Sequence, residues 1–341
     1  EAFFGEVGPS HGGGEVGIKP IEVQVRRAAV DPKRFSGDGD IARMTGRASE
    51  PEREPASLDL PGIDRETDRQ LVGVERMVFF AGEGHDEMYV VRLRPSDVKR
   101  IDVIALATDS RVDVDGLFEK VKAAGARIMF EPKELDQLGR GYGFRFFSPD
   151  GLPFEISSDV ERGTAREMQR WEGIPQKISH IVLHSPDHHA AVKFFTDALG
   201  FKLSDWLGEF MAFLRCNEWH HRIAFLPGPP CLNHVAYDML GVDDMMRGVS
   251  RLRMQDVDIK WGPGRHTARN NTFSYFVTPN GFAVEYTSEL EQVDDATWQP
   301  TVYKPGPQVM DQWGIGVGGP QTMPHYPRGW APDAIDNQKD A

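Results

Sequence analysis

Arg145-Phe-Phe-Ser-Pro-Asp-Gly-Leu-Pro-Phe-Glu155 and Tyr275-Phe-Val-Thr-Pro-Asn-Gly-Phe-Ala-Val-Glu285 are one phrase written twice, 130 residues apart. In each copy an apolar run enters a Pro-x-Gly turn and leaves as a second run ending in glutamate, the pattern of a hairpin. Ile101-Asp-Val-Ile-Ala105 lies in the same way against Leu232-Asn-His-Val-Ala236, 131 residues on. A repeat of this period denotes two homologous modules, not a solenoid.

Working outward, the first copy predicts strands at 20–28, 71–80, 88–93, 101–107, 144–147 and 154–157. A helix is expected over 113–124, with Leu117, Val121 and Ala124 on one face and Gly125 as its stop. The second copy predicts strands at 178–184, 210–214, 222–226, 233–237, 272–277 and 282–287. Its first helix is capped by Asp187, buries Ala191, Phe194, Phe195 and Ala198, and ends at Gly200. Its second spans 243–252 with Met245, Met246, Val249 and Leu252 inward. The expected organisation is an N-terminal arm (1–19), a first module (20–158), a linker (159–176), a second module (177–290) and a proline-rich tail (291–341). Residues 31–70 show little periodicity and read as loop. The tail holds seven prolines and no helical period, so it is expected to pack as an extended segment on a neighbour or over a cleft. Gly12-Gly-Gly14 lacks the strand–helix context of a phosphate loop.

The 341 residues suit two ordinary domains. Acidic residues number 52 against 39 basic, a net charge of −13, which disfavours nucleic acid and anionic membrane as partners because both need a basic face. Two cysteines, Cys216 and Cys231, exclude a disulfide scaffold and a four-cysteine zinc site; a reducing cytoplasm is the simplest setting. No apolar run approaches the ~20 residues that span a bilayer, and no secretory h-region opens the chain.

Histidines are uneven. Only His11 and His85 precede residue 180, and His325 lies in the tail; the other eight fall between 180 and 266. Any histidine-bound metal therefore belongs to the second module. There Asn233-His234-Val235 stands where the first module has Asp102-Val103-Ile104, while the glutamate is present in both, as Glu155 and Glu285. Duplication followed by loss of one site explains the asymmetry, with Glu155 paired to an arginine. His180, His234 and Glu285 all sit on expected strands. Two imidazoles and a carboxylate leave about three coordination positions open, which suits Fe(II) handling a chelating substrate and O2 together. Zinc accepts the same ligands but is redox-inert, and ligand type alone does not separate Fe(II) from Mn(II).

The second module resembles type I extradiol ring-cleavage dioxygenases of the vicinal oxygen chelate (glyoxalase/bleomycin-resistance) superfamily. The resemblance runs through Gly264-Arg-His266, Phe273-Ser-Tyr275, Thr278-Pro-Asn-Gly281 and Glu285, with eight residues between histidine and tyrosine and nine between tyrosine and glutamate. Ser274 departs from the apolar residue the family usually has there. Cys216-Asn-Glu-Trp-His-His221 resembles the family's Cys-Asn…His-His segment. The likeness covers about 177–290, weakens over 71–158 and is nearly absent over 31–70 and 300–341. It implies that His180, His234 and Glu285 hold Fe(II), that His221 is the acid–base residue near O2, and that His266 and Tyr275 contact the substrate oxygens. The implied reaction opens a catecholic ring beside its diol with both atoms of O2. The residue chemistry agrees: a histidine near neutrality can take a phenol's proton and later return it.

The expected fold is α+β: two tandem modules of βαβββ repeats, each a curled sheet around a funnel, in a homo-oligomer. His220 competes with His221 for the acid–base role. His184, Trp206, Phe210 and Asn270 are pocket candidates, with Met211 beside Phe210; Arg269 reads as surface, and His188 and His189 as solvated. Two other classes share the frame. A 4-hydroxyphenylpyruvate dioxygenase-like enzyme would use the triad without the His266/Tyr275 pair, and a bleomycin-resistance-type binding protein would hold no tight metal.

Overall fold

The computed structural model describes residues 21–30, 78–95, 100–279 and 281–323. The expected arm at 1–19, the loop at 31–70, most of the strand at 71–80, Asn280 and the end of the tail with His325 lie outside these residues.

The first module contains β1 (Ile21–Val30), β2 (Val78–Phe80), β3 (Val91–Pro95), β4 (Arg100–Thr108), α1 (Arg111–Ala123), β5 (Ile128–Glu134), β6 (Tyr142–Phe147) and β7 (Pro153–Ser158). They form a seven-stranded sheet in the order β2-β3-β1-β4-β7-β6-β5. The second contains β8 (Lys177–Ser185), α2 (His188–Asp197), β9 (Lys202–Leu207), β10 (Met211–Arg215), β11 (Ile223–Pro227), β12 (Cys231–Asp238), α3 (Val242–Met254), β13 (Trp261–Arg265), β14 (Thr272–Val277) and β15 (Ala283–Ser288). The tail adds β16 (Thr301–Tyr303), a single helical turn α4 (Pro307–Met310) and β17 (Val317–Gly318). The second sheet runs β16-β9-β10-β11-β8-β12-β15-β14-β13-β17.

The βαβββ unit is plain in this order. β8-α2-β9-β10-β11 and β12-α3-β13-β14-β15 each close with a parallel pairing of first and last strands, as does β4-α1-β5-β6-β7. The two units of the second module meet through the antiparallel pair β8–β12. In the first module β1 runs parallel to β4 instead. The expected α+β fold of two tandem modules built on βαβββ units is what the chain adopts.

Local chemistry explains the elements. Asp187 caps α2 by accepting the Ala190 N–H at 2.9 Å, and Ser110 caps α1. In α3 the buried stripe is Met245, Gly248, Val249 and Leu252. Met246 is off that stripe by one residue and is 41% exposed, contrary to the expectation that it faces inward. β5, β9 and β13 are absent from the sequence-based expectation for identifiable reasons. β5 carries Pro132 on a sheet edge, β9 buries the polar pair Ser204–Asp205, and β13 reads Trp-Gly-Pro-Gly-Arg with a bulge after Trp261. Both modules share one apolar core. Phe194 and Phe195 of α2 pack against Phe146 (6.1 Å) and Phe154 (5.2 Å) of the first sheet. Among the described residues no helix is long and apolar enough to cross a membrane.

Glu155 is fully buried and accepts from Arg145 at 2.9 Å and from Gln137 at 3.1 Å. Removing the arginine strands a buried charge. Arg145→Met is expected to lower unfolding free energy by about 3 kcal/mol, read as a drop in the urea midpoint. The double variant Arg145→Met/Glu155→Leu should recover most of the loss.

Candidate metal centre

Strand register assembles the site. On β12, Ala236 is paired on one side with His180 of β8 and on the other with Glu285 of β15. Glu285 is paired in turn with Tyr275 of β14, and Tyr275 with Trp261 of β13. His180, Ala236, Glu285, Tyr275 and Trp261 thus form one row across five strands. His234 lies two residues from Ala236, on the same face. The small Ala236 at the centre leaves space above the sheet, into which the flanking side chains converge. His180 Nε2 is 3.2 Å and His234 Nε2 3.1 Å from Glu285 Oε2, and all three residues are buried.

Second contacts fix which nitrogens face inward. The Pro227 carbonyl can only accept, so His184 carries its proton on Nδ1 (2.9 Å). Its Nε2 then accepts from Asn233 Nδ2 at 2.8 Å, which turns Asn233 Oδ1 to His234 Nδ1–H at 2.6 Å. Burial pushes His184 down to about 4 and keeps it neutral, as this chain requires. The His234 lone pair is left on Nε2. His180 Nδ1 meets Ser179 Oγ at 3.3 Å, and Asn271 Nδ2 reaches Glu285 Oε1 at 3.5 Å.

His234 Nε2 and Glu285 Oε2 are buried without a hydrogen-bond partner. Such atoms are costly unless something meets them. Together with His180 they are the described residues whose ligand atoms gather as a metal site would, all within 4.8 Å of one another. Two imidazole nitrogens and a carboxylate oxygen fit a divalent transition-metal ion.

A cavity of about 170 Å³ opens over this group. His221, His266 and Tyr275 line it with His180 and His234. His266 Nδ1–H donates to the Met310 carbonyl at 2.6 Å, so its Nε2 accepts from the Tyr275 hydroxyl at 3.2 Å. Burial lowers the His266 pKa, and burial with the nearby Glu285 charge raises Tyr275 well above its ordinary value. Both are neutral, with Tyr275 the donor. Gly264, just before Arg265-His266, lies under the Phe273 ring, where any Cβ would collide. The tail packs over the cleft of its own module: Val309, Met310, Pro320 and Met323 close the cavity.

Phe210 and Met211 line the cavity. The other pocket candidates lie elsewhere. His184 is buried behind Asn233. Trp206 stacks on His189 at 4.7 Å on the helix side of β9. Asn270 is exposed in the turn after His266, and its neighbour Asn271 faces the cavity instead. His188 is partly buried, with Nε2 2.8 Å from the Glu209 carbonyl, and His189 is exposed. Arg269 is half-buried and paired with Asp205 at 2.7 Å rather than lying free on the surface. His220 points away from the cavity, toward Asp205. Asn233 is the site residue whose role the Asn233-His234-Val235 motif carries without declaring it: an amide directly before the histidine it orients.

The family model described as Glyoxalase/Bleomycin resistance protein/Dioxygenase superfamily matches residues 58–156 and 177–286. The chain belongs to this superfamily. It is 29% identical over 288 residues to the manganese-dependent 2,3-dihydroxybiphenyl 1,2-dioxygenase of Geobacillus genomosp. 3, covering 76% of this chain and 90% of that one. It is 30% identical over 249 residues to the iron-dependent extradiol dioxygenase of Rhodococcus jostii (strain RHA1), covering 65% and 77%. Among solved structures, the Mn(II)-bound glyoxalase from Novosphingobium aromaticivorans shares 66% identity at a TM-score of 0.73, over 76% of this chain and 87% of that one.

Asn233→Leu removes the acceptor that orients His234. It is expected to weaken Mn(II) binding about 10–100-fold in a calorimetric titration, with the circular dichroism of the fold unchanged.

Proposed function

We propose that this protein is an extradiol dioxygenase that opens a catecholic ring beside its diol, using O2 and an Fe(II) or Mn(II) ion held by His180, His234 and Glu285. The observation that carries the reading is the row His180–Ala236–Glu285–Tyr275 facing a cavity that also holds His221 and His266. When bound, the ion supplies Lewis acidity toward the diol and a path for electrons to O2. The chain supplies the rest. His221 takes a hydroxyl proton and later returns it. The neutral Tyr275 phenol has one proton, which rests on His266 Nε2 in this structure and would turn to the substrate oxygen where negative charge gathers. The apolar walls and the tail exclude water.

The cavity also points to a substrate type. Its remaining lining is mainly apolar, with Phe210, Met211, Phe213, Leu226, Met310 and Met323 among its walls, and among the described residues neither lysine nor arginine contributes. A carboxylated catechol would bury its charge there without a counter-ion. An alkyl- or aryl-substituted catechol fits better. The same reading takes the protein as cytoplasmic, with Cys216 and Cys231 as free thiols, and as a homo-oligomer that covers exposed tail residues such as Ile315 and Val317.

A second reading is metal-assisted isomerisation without O2, in keeping with the name of the Novosphingobium protein. Oxygen uptake separates the two. The protein, loaded anaerobically with Fe(II) or Mn(II), should consume O2 with a catechol and form a yellow ring-opened product. His234→Ala should abolish uptake. kcat/KM for an apolar-substituted catechol should exceed that for a carboxylated one by at least about tenfold, as an uncompensated charge costs more than 1.4 kcal/mol. Retained metal without uptake would sink the dioxygenase reading.

A further inference from the structure

Behind the cavity lies a buried polar chain that the site above does not use. It starts at Asp205 of β9, which is 0% exposed. Its Oδ1 accepts from the Thr301 N–H at 2.7 Å and the Thr301 hydroxyl at 2.8 Å. Its Oδ2 accepts from Arg269 Nε at 2.7 Å and lies 2.8 Å from His220 Nε2. Burial would raise this carboxyl, but His220, Arg269 and Thr301 together hold it down to about 2, so it is ionised. An ionised carboxylate only accepts, so His220 carries its proton on Nε2.

His220 is itself 0% exposed. The Asp205 charge is already met by the Arg269 guanidinium, and Arg215 adds a second positive charge nearby. Burial and these arginines keep His220 neutral despite Asp205. A neutral ring protonated at Nε2 presents a lone pair at Nδ1. His221 Nδ1 lies 3.0 Å from that atom, so the proton between the two rings belongs to His221. The opposite edge of the His221 ring lies at the cavity, beside His180 with ring centroids 4.4 Å apart.

We propose that Asp205 and His220 are positioning residues that lock His221 as its Nδ1–H tautomer, so that its Nε2 lone pair is presented to the cavity as a proton acceptor. The logic is that of a carboxylate orienting a catalytic imidazole, extended by one ring. When His221 gains a proton, its Nδ1–H still has His220 as acceptor, and the Asp205 charge stands at the far end. Thr301 places this chain under the control of the tail, because β16 supplies two of the four donors to Asp205. The purpose of the lock rests on the function proposed above; the tautomer itself does not.

The test is long-range 1H–15N spectroscopy of the full chain labelled with 15N-histidine, both chelator-treated and loaded with diamagnetic Zn(II). His221 should appear protonated at Nδ1 and His220 at Nε2. His220→Phe removes the acceptor and should release His221 toward the Nε2–H form. His220→Asn, whose amide oxygen sits near the former Nδ1, should retain the lock. In parallel, O2-uptake kcat should fall about 100-fold in the Phe variant with KM near the parent's, and recover substantially in the Asn variant. Finding His221 protonated at Nε2 in the unmodified protein overturns the proposal, even if the Phe variant does not fold. So does a folded Phe variant with the His221 tautomer unchanged. A parent with no O2 uptake but His221 in the Nδ1–H form supports the lock and removes the dioxygenase reading alone.

Discussion

Glu285 is a carboxylate with no solvent exposure, and the second module is arranged around what neutralises it. A buried charge must be met on the spot or it unfolds its surroundings. Here two imidazoles converge on one of its oxygens from β8 and β12, and the three ligand atoms together suit a cation that would meet the charge. That convergence needs a curled sheet, a small residue at 236 and fixed ring tautomers. Each requirement is visible: the ten-stranded order supplies the sheet, Ala236 the space, and Ser179, Asn233 and His184 the ring orientations.

The first module meets the same demand differently. Glu155 pairs with Ala105 across the parallel strands, as Glu285 pairs with Ala236. Where the second module has Tyr275 opposite its glutamate, the first has Arg145. The guanidinium occupies the carboxylate directly. Val103 stands in the place of His234. One fold therefore carries two solutions to one buried charge, a salt bridge that is purely structural and a donor set that suits a metal. The retained glutamate in the first copy is explained by its arginine, not by a residual site.

The tail joins these parts. Its backbone accepts from His266, and its apolar side chains close the cavity. Its Thr301 anchors Asp205, whose hydrogen bonds run through His220 to His221. Both imidazoles assigned to substrate chemistry thus depend on residues beyond the βαβββ repeats.

The sequence by itself determined the repeat, the α+β architecture and the three residues that could hold a metal. Those features are written in local patterns: period-two apolar runs, a helix cap at Asp187, Pro-x-Gly turns, and a glutamate at the same offset in both copies. Identity and spacing also singled out His221, His266 and Tyr275. Only the tertiary structure decided how these residues face one another, because cross-strand register and ring orientation depend on partners far apart in the chain. Pro227 orients His184, which orients Asn233, which orients His234. Asp205 lies in β9, whose buried polar residues hid the strand itself. Trp206 and Asn270 read as pocket residues, yet strand alternation and a turn carry them elsewhere, and the tail's place over the cleft follows from packing that no periodicity records.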